Sequence, residues 1–563
     1  MDQSIGKSRW LRGSTLVAGM AVFLSACGGS STATGDNIKN GGTLIWALDA
    51  DAQSLNPFVA GDVPSVRAYG FLFPNIYQAD KNLNVTPDLA DGMPSISSDK
   101  KVWTVKLRKD AKWSDGTPIT ADDVVMTVNM QNNTNLDTDA AFDWGKLDKV
   151  EKVDANTVKF TLTEPFAPFL ANNLLTFVAP ASVYGKIDPA KQRTDPVSLN
   201  PTVTGGPYKF EKRVAGSEID YVANTNYYLG RPHYDKAIAK VITDATAATN
   251  ALINGDVAWH PALGEGGSGA VTKAKAANGV QVHDYADLGY IDMRLNTRKG
   301  HLFDDVKTRQ AMAYALDKPS IVQAATEGRG QVLWGDIVPA SWAYDASSVV
   351  TYTQNVAKAK SLLAEAGWTI PADGSAATRA GKKFVGKIRV RAGKPQRIKA
   401  AQIISDQLKA IGMQLTPDPT DFKVFYKPIQ AGDFDVAIAG FGLTVDPDDY
   451  TTFHSSQLQP EHKSGNNWTG YNNPELDKLI DQERATIKAT DAETKTARKA
   501  IFNQMEKIIS GDIVTYMLWA DKSAMGWSPN VGAVAAGGGD NVIYVDDARN
   551  TQVEAQWYSK TGK

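Results

Sequence analysis

The chain has 563 residues, 42% apolar and 22% charged, and its 60 basic and 62 acidic side chains give a formal net charge of −2. Acids and bases are interspersed, which argues against a nucleic-acid binder with its basic face. Cys27 is the only cysteine, so no internal disulfide and no thiolate metal site can form.

The first element is a processing signal. Lys7, Arg9 and Arg12 precede an apolar or small stretch over residues 14–24, too short to cross a bilayer as a helix. Leu24-Ser25-Ala26-Cys27 looks like a bacterial lipobox. On that reading residues 1–26 are a lipoprotein signal peptide and Cys27 carries the lipid; the alternative is a secretory signal with an incidental buried cysteine. A lipid anchor attaches a protein to a membrane without spanning it. Residues 27–40, rich in Gly, Ser and Thr, read as a flexible tether. No later stretch holds the roughly eighteen consecutive apolar residues that a spanning helix needs. About 520 residues follow the tether, and single cores stop growing at roughly 250–300 residues, so two or more lobes are expected.

Residues 42–50 (GTLIWALDA) read as a strand. In KVWTVKL, Val102, Thr104 and Lys106 alternate with Trp103, Val105 and Leu107, the period of a strand. Asp115-Gly116 marks a turn. Thr120 with Asp123 three residues on predicts a capped helix start. TVKFTLTEP is a strand stopped by Pro165, and TGGPYKFEKR is a turn entering another. Val306, Ala313 and Leu316 have helical spacing, and NVAKAKSLLAEAGW is a helix with Gly367 as its stop. KIRVRAGKPQ is a strand and loop, IKAAQIISDQLKAIGMQLT a helix, glycine stop and strand, DFDVAIAGFG a buried strand, and NPELDKLIDQERATI a helix. Strands and helices alternate, which makes the class α/β. Thirteen Trp and nineteen Tyr offer rigid contact surface, most of it expected in the core.

Taken in order, KVWTVKLRKDAKWSDGTPITADDV, TGGPYKF, FDDVKTRQAMAYALDKPSIV, AKSLLAEAGW, DFDVAIAGFG with Asp446-Pro447, and GYNNPELDKLI resemble the oligopeptide- and dipeptide-binding proteins of ABC importers, solute-binding family 5. The WSDGTP stretch is the most specific. The resemblance implies a two-lobed periplasmic-binding-protein fold of type II, in the large three-region class. Domain I is expected over 41–60, 201–285 and a C-terminal return at 521–563. Domain II is expected as an insertion over 61–200, and domain III over 286–520. The resemblance further implies a monomeric receptor outside the cytoplasmic membrane. It would close on an oligopeptide and deliver it to the permease and ATPase subunits, with no cofactor and no covalent chemistry. A non-peptide solute (oligosaccharide or siderophore) and a sensing or adhesion lipoprotein are the alternatives.

The same resemblance nominates ligand groups. An acidic residue after the strand that ends in Gly440, Phe441 and Gly442 pairs with the peptide amine in such proteins; here that position is Thr444. A threonine cannot neutralise an ammonium, so Asp446, Asp448 or Asp449 is expected to compensate. Asp62 and Val63 lie in the loop that touches ligand in the relatives. Lys394 and Arg397 fall where a basic residue holds the ligand carboxylate, and Arg suits this through bidentate pairing. Phe441 and Trp468 are candidate aromatic contacts, with Tyr471, Asn466 and Asn467 beside the latter; Trp46 is expected in the core.

Enzyme signals are weak. GEGGSG (264–269) matches a dinucleotide-loop spacing, but HPAL separates it from the preceding strand and spoils the tight turn. The histidines at 233, 260, 283, 301, 454 and 462 show no zinc-ligand spacing. No G-x-S-x-G elbow is present.

Overall fold

The computed structural model describes residues 40–80, 83–140, 142, 144–461, 465–533 and 557–560. Cys27, the signal peptide and most of the tether lie outside them.

The alternating stretches become strands where one face can be buried. β1 (Thr43–Leu48) opens the chain, and a small antiparallel sheet follows from β2 (Ser95–Ile96), β3 (Val102–Lys106), β4 (Leu147–Asp154) and β5 (Thr157–Leu162). Trp103 and Val105 of β3 point inward and its polar residues outward, as their alternation predicts. β6 (Tyr208–Val214), β7 (Glu218–Ala223), β8 (Lys236–Val241), β9 (Trp259–His260), β10 (Gln281–Leu295), β11 (Gly330–Val332), β12 (Val385–Arg391), β13 (Gln414–Thr420), β14 (Val436–Gly442) and β15 (Thr515–Trp527) join β1 in one 11-stranded sheet. Its order is β13-β12-β14-β10-β15-β9-β1-β8-β7-β6, with β11 paired to β15.

The helices used below are α1 (Val63–Gly70), α2 (Ala121–Gln131), α3 (Gly267–Ala276), α4 (Val306–Ala315), α5 (Val356–Glu365), α6 (Pro395–Leu408), α7 (Phe422–Gln430), α8 (Pro474–Ala485) and α9 (Asp491–Asp512). α2 starts on the expected box: the Thr120 amide donates to Asp123 Oδ2 at 2.8 Å. Asp305, Asn355 and Asn473 cap α4, α5 and α8 with their own side chains, which accept from amides of the first turn. The GEGGSG stretch is divided between one short turn, Leu263–Gly266, and the first residues of α3. Its first glycine packs on β15, where a Cβ would stand 2.6 Å from the Ala524 amide nitrogen.

Two large apolar cores result. One gathers β1, the small sheet and Trp46, Phe71 and Tyr221; the other surrounds the β10–β15 junction with Met293, Ile388, Ile404, Ile438 and Trp519. β10 and β15 are the long strands that serve both. Their ladder runs from Gln281↔Trp527 to Ala286↔Lys522, breaks, and resumes at Tyr290↔Ala520. Such a bulge bends the strand and strengthens its twist.

Candidate functional site

β14 shows how the site is made. It pairs with β10 along its whole length, from Val436↔Leu295 to Gly442↔Gly289, but with β12 only from Val436 to Ile438. Beyond Ile438, no described strand lies on that side of Ala439–Gly442. β12 ends at Arg391, and Pro395 opens α6 with its preset φ. The first turn of α6 therefore sits at the carboxyl ends of two parallel strands, where open α/β sheets bind ligands.

Arg397 is on that turn, and its guanidinium lies over Gly440. A Cβ at 440 would stand 3.0 Å from Arg397 Cζ, nearer still to Nη2, and 2.8 Å from Ile291 Cδ1. Glycine is needed there for close approach. Burial works against the Arg397 charge and pushes its pKa down; Asp521 is the carboxylate that most opposes this, ahead of Tyr426 and Asp292. No described group accepts a hydrogen bond from this guanidinium. Lys394 caps the same helix and is exposed.

On the other face of β14, Phe441 stacks on Tyr290 with ring centroids 6.1 Å apart. Arg294 lies between Phe441, at 5.0 Å, and Trp468, at 4.4 Å. It bonds Asp292 at 3.0 Å and the Asn466 carbonyl at 3.0 Å. Trp468 is buried and meets Tyr426 edge-on at 5.6 Å, so it backs this arrangement from inside. Asn467 donates to the Tyr471 carbonyl at 2.9 Å and Tyr471 to Asp512 at 2.6 Å; both are interior. Trp46 is fully buried against Phe71 at 5.7 Å.

The loop after β14 places its acids elsewhere than expected. Thr444 Oγ1 lies 2.6 Å from both Asn172 Oδ1 and the Asp446 carbonyl. Asp446 is 5% exposed and accepts from Arg498 Nη2 at 2.7 Å. Arg498 also holds Glu483, at 2.6 and 2.9 Å. Asp448 pairs with Arg484 at 3.2 Å. Asp449 is buried beside Asp336 and Glu506; desolvation, then the Asp336 charge, pushes the Asp449 and Glu506 carboxyls far up. None of the three aspartates after Thr444 offers a free carboxylate, which corrects the expectation that one of them compensates for the threonine.

Asp62 caps α1, accepting from the Ser65 amide at 3.1 Å, and Val63 follows it, exposed. The adjoining loop borders a cavity of about 240 Å³ lined by Gly61, Tyr69, Gln131, Trp144, Asn172 and Phe177, among others. Small-molecule sites usually enclose about 300–1,000 Å³, so this one fits a side chain better than a whole solute. Inside it, Gln131 donates to Thr176 at 2.8 Å and accepts from Trp144 at 3.2 Å. Asn172, on the rim, meets Thr444 across the gap. A second contact crosses close by, from the Ala167 amide to the Arg484 carbonyl at 2.6 Å. Gly440 and Thr444 are four residues apart, at most about 14 Å of chain, so one short segment joins the guanidinium to the cavity rim. Asn172, Tyr426 and Asp521 carried no signal in the sequence: each is placed by elements distant in the chain.

Comparison with known proteins agrees with this architecture. Residues 84–461 match the bacterial extracellular solute-binding proteins, family 5 Middle. The oligopeptide-binding protein AppA of Bacillus subtilis (strain 168) is 31% identical over 501 residues, 87% of this chain and 88% of that protein. The dipeptide-binding protein of Escherichia coli (strain K12) is 28% identical over 480 residues, 79% of this chain and 84% of that protein. The structure of B. subtilis AppA in complex with a nonapeptide matches with a TM-score of 0.73 at 27% identity, covering 93% of this chain and 99% of that one. NikZ from Campylobacter jejuni in complex with Ni(L-His), at 23% identity and a TM-score of 0.75, covers 92% of this chain and 99% of its own and shares the two-lobed fold. The chain belongs to family 5 of the bacterial extracellular solute-binding proteins, ABC-importer receptors that hold a substrate and do not transform it.

Proposed function

We propose that this receptor captures short peptides in extended conformation, held outside the cytoplasmic membrane by a lipid on Cys27. The observation that carries this reading is the open edge of β14 beside the Arg397 guanidinium. Unpaired strand amides and carbonyls accept an added strand, which gives affinity for any peptide backbone. Arg397 takes the peptide carboxylate through charge-assisted hydrogen bonds. The cavity at Asn172 takes one side chain, and its mixed lining of aromatic rings and amides tolerates several kinds. Closure about the β10–β15 bulge buries the peptide and brings Thr444 to Asn172, so ligand and closed state favour each other. The closed form docks on the permease, and release and uptake are driven by other subunits.

Thermal unfolding with a panel of di- to pentapeptides and oligosaccharides tests the substrate class. A ligand at a hundred times its Kd stabilises by about 2.7 kcal/mol, so peptides should raise the midpoint and sugars should not. A shift with a sugar alone moves the class to a non-peptide solute. The anchor is tested separately: Cys27→Ser should move the protein from the membrane fraction to the soluble one.

A further inference from the structure

The peptide reading leaves the ligand's amine without a partner, because every aspartate after Thr444 is committed. Asp521 is a different case. It lies on β15 between Ala520, which pairs with Tyr290, and Lys522, which pairs with Ala286. Residues 287–289 of β10 bulge past it, and bulges beside binding sites often re-aim a side chain. Its Oδ1 accepts from Trp519 Nε1 at 2.8 Å. Its Oδ2 has no hydrogen-bond partner and no ion pair among the described residues, although the group is half-buried.

Asp521 shares a sheet face with Arg397. Trp519, Ile291 and Gly440 form one cross-strand row, and the Arg397 guanidinium lies over its Gly440 end. Asp521 follows Trp519 by two residues, hence on the same face, and is tied to its indole. β14 and β15 are separated only by β10, about 10 Å at the usual strand spacing, a distance that an extended peptide of two or three residues spans. Each group is the other's principal opposite charge, yet no N···O approach falls within 4.0 Å. Two half-buried, opposite charges on one sheet face that do not touch leave room for a ligand that carries both signs. Arg329 and Lys394 also act on Asp521, but Arg329 is committed to Asp284 at 3.1 Å and Lys394 stands in solvent.

We infer that Asp521 receives the ammonium of the ligand whose carboxylate Arg397 holds, which makes the preferred substrates short peptides with both termini free. This rests on the peptide reading of the site. Its test is calorimetric titration of the protein with trialanine and with N-acetyl-trialanine, repeated on Asp521→Asn. Asparagine keeps an acceptor for the Trp519 indole, and an unchanged near-ultraviolet circular dichroism spectrum establishes that the variant folds. The wild type should bind trialanine at least about tenfold more tightly than the acetylated form, the effect of leaving one member of a buried charge pair unmatched. Asp521→Asn should bind the two alike, at the weaker level. A wild type that binds both forms equally overturns the role of Asp521 and leaves the peptide reading standing, as does an Asp521→Asn that still prefers the free amine. Failure of both peptides to bind the wild type at millimolar concentration overturns both.

Discussion

Gly440→Ala is a one-carbon change whose effect divides unequally between stability and binding. The new Cβ would stand 2.8 Å from Ile291 Cδ1 and 3.0 Å from Arg397 Cζ. Ordinary contact between such atoms is about 3.5–4.0 Å, so each neighbour must withdraw by roughly 0.5–1 Å. Ile291 sits in a packed core, and overpacking costs about 1–3 kcal/mol. Arg397 is the far end of a flexible side chain and no described group bonds it, so it yields first and the stability loss falls near the bottom of that range. Binding is hit harder, because the guanidinium leaves the position from which it pairs with a carboxylate. Calorimetric titration with trialanine should show affinity lower by about tenfold, equal to 1.4 kcal/mol, while the urea midpoint falls only slightly. Unchanged affinity would refute the claim that the Gly440–Arg397 contact sets the site. A loss of stability as large as the loss of binding would make Gly440 a purely structural glycine.

Three further outcomes are expected. Arg397→Ala should weaken trialanine binding by about 2–5 kcal/mol with little change in stability; equal affinity removes Arg397 from the site. Arg498→Met should destabilise the fold by about 3–5 kcal/mol in urea titration, because Asp446 and Glu483 are left buried with no cation; a loss under about 1 kcal/mol would mean these carboxyls are already neutral. His260 is 2% exposed, and burial pushes its pKa down to about 4. The unfolded chain takes up that proton near pH 6.5 and the folded one does not. Stability is therefore full above about 6.5 and declines as pH falls towards 4, by about 3 kcal/mol in total. In His260→Phe that decline should be shallower by this amount, measured as urea midpoints from pH 4.5 to 7.5; identical slopes contradict it.

Local elements were readable in the sequence where a local interaction makes them. The Thr120–Asp123 box, the alternation around Trp103 and the glycine after α5 each depend on residues within one turn or strand. Arg397 was nominated by the family resemblance and expected in a loop; its place on the first turn of α6, opened by Pro395 at the end of β12, comes from the structure. The rest depends on distant pairing. The fifteen residues of β10 mix Asp, Arg and Gly with apolar side chains, because a central strand with a bulge has no single period. α9, twenty-two residues long, was not read from the sequence, although Thr490 and Glu493 form a capping box at its start. Asp446 looked available only because its partner, Arg498, is 52 residues away. Thr444 and Asn172 meet across 272 residues. Asp521 is aimed by a break in register that no one-strand pattern reveals.

The central claim is that this receptor holds extended peptides, and native mass spectrometry of residues 28–563 as purified from cells tests it most directly. The account predicts a ladder of bound masses which, after denaturation, resolve into peptides of a few residues with free termini. A single bound non-peptide mass, or a protein that is empty and stays empty when peptides are added, would contradict it.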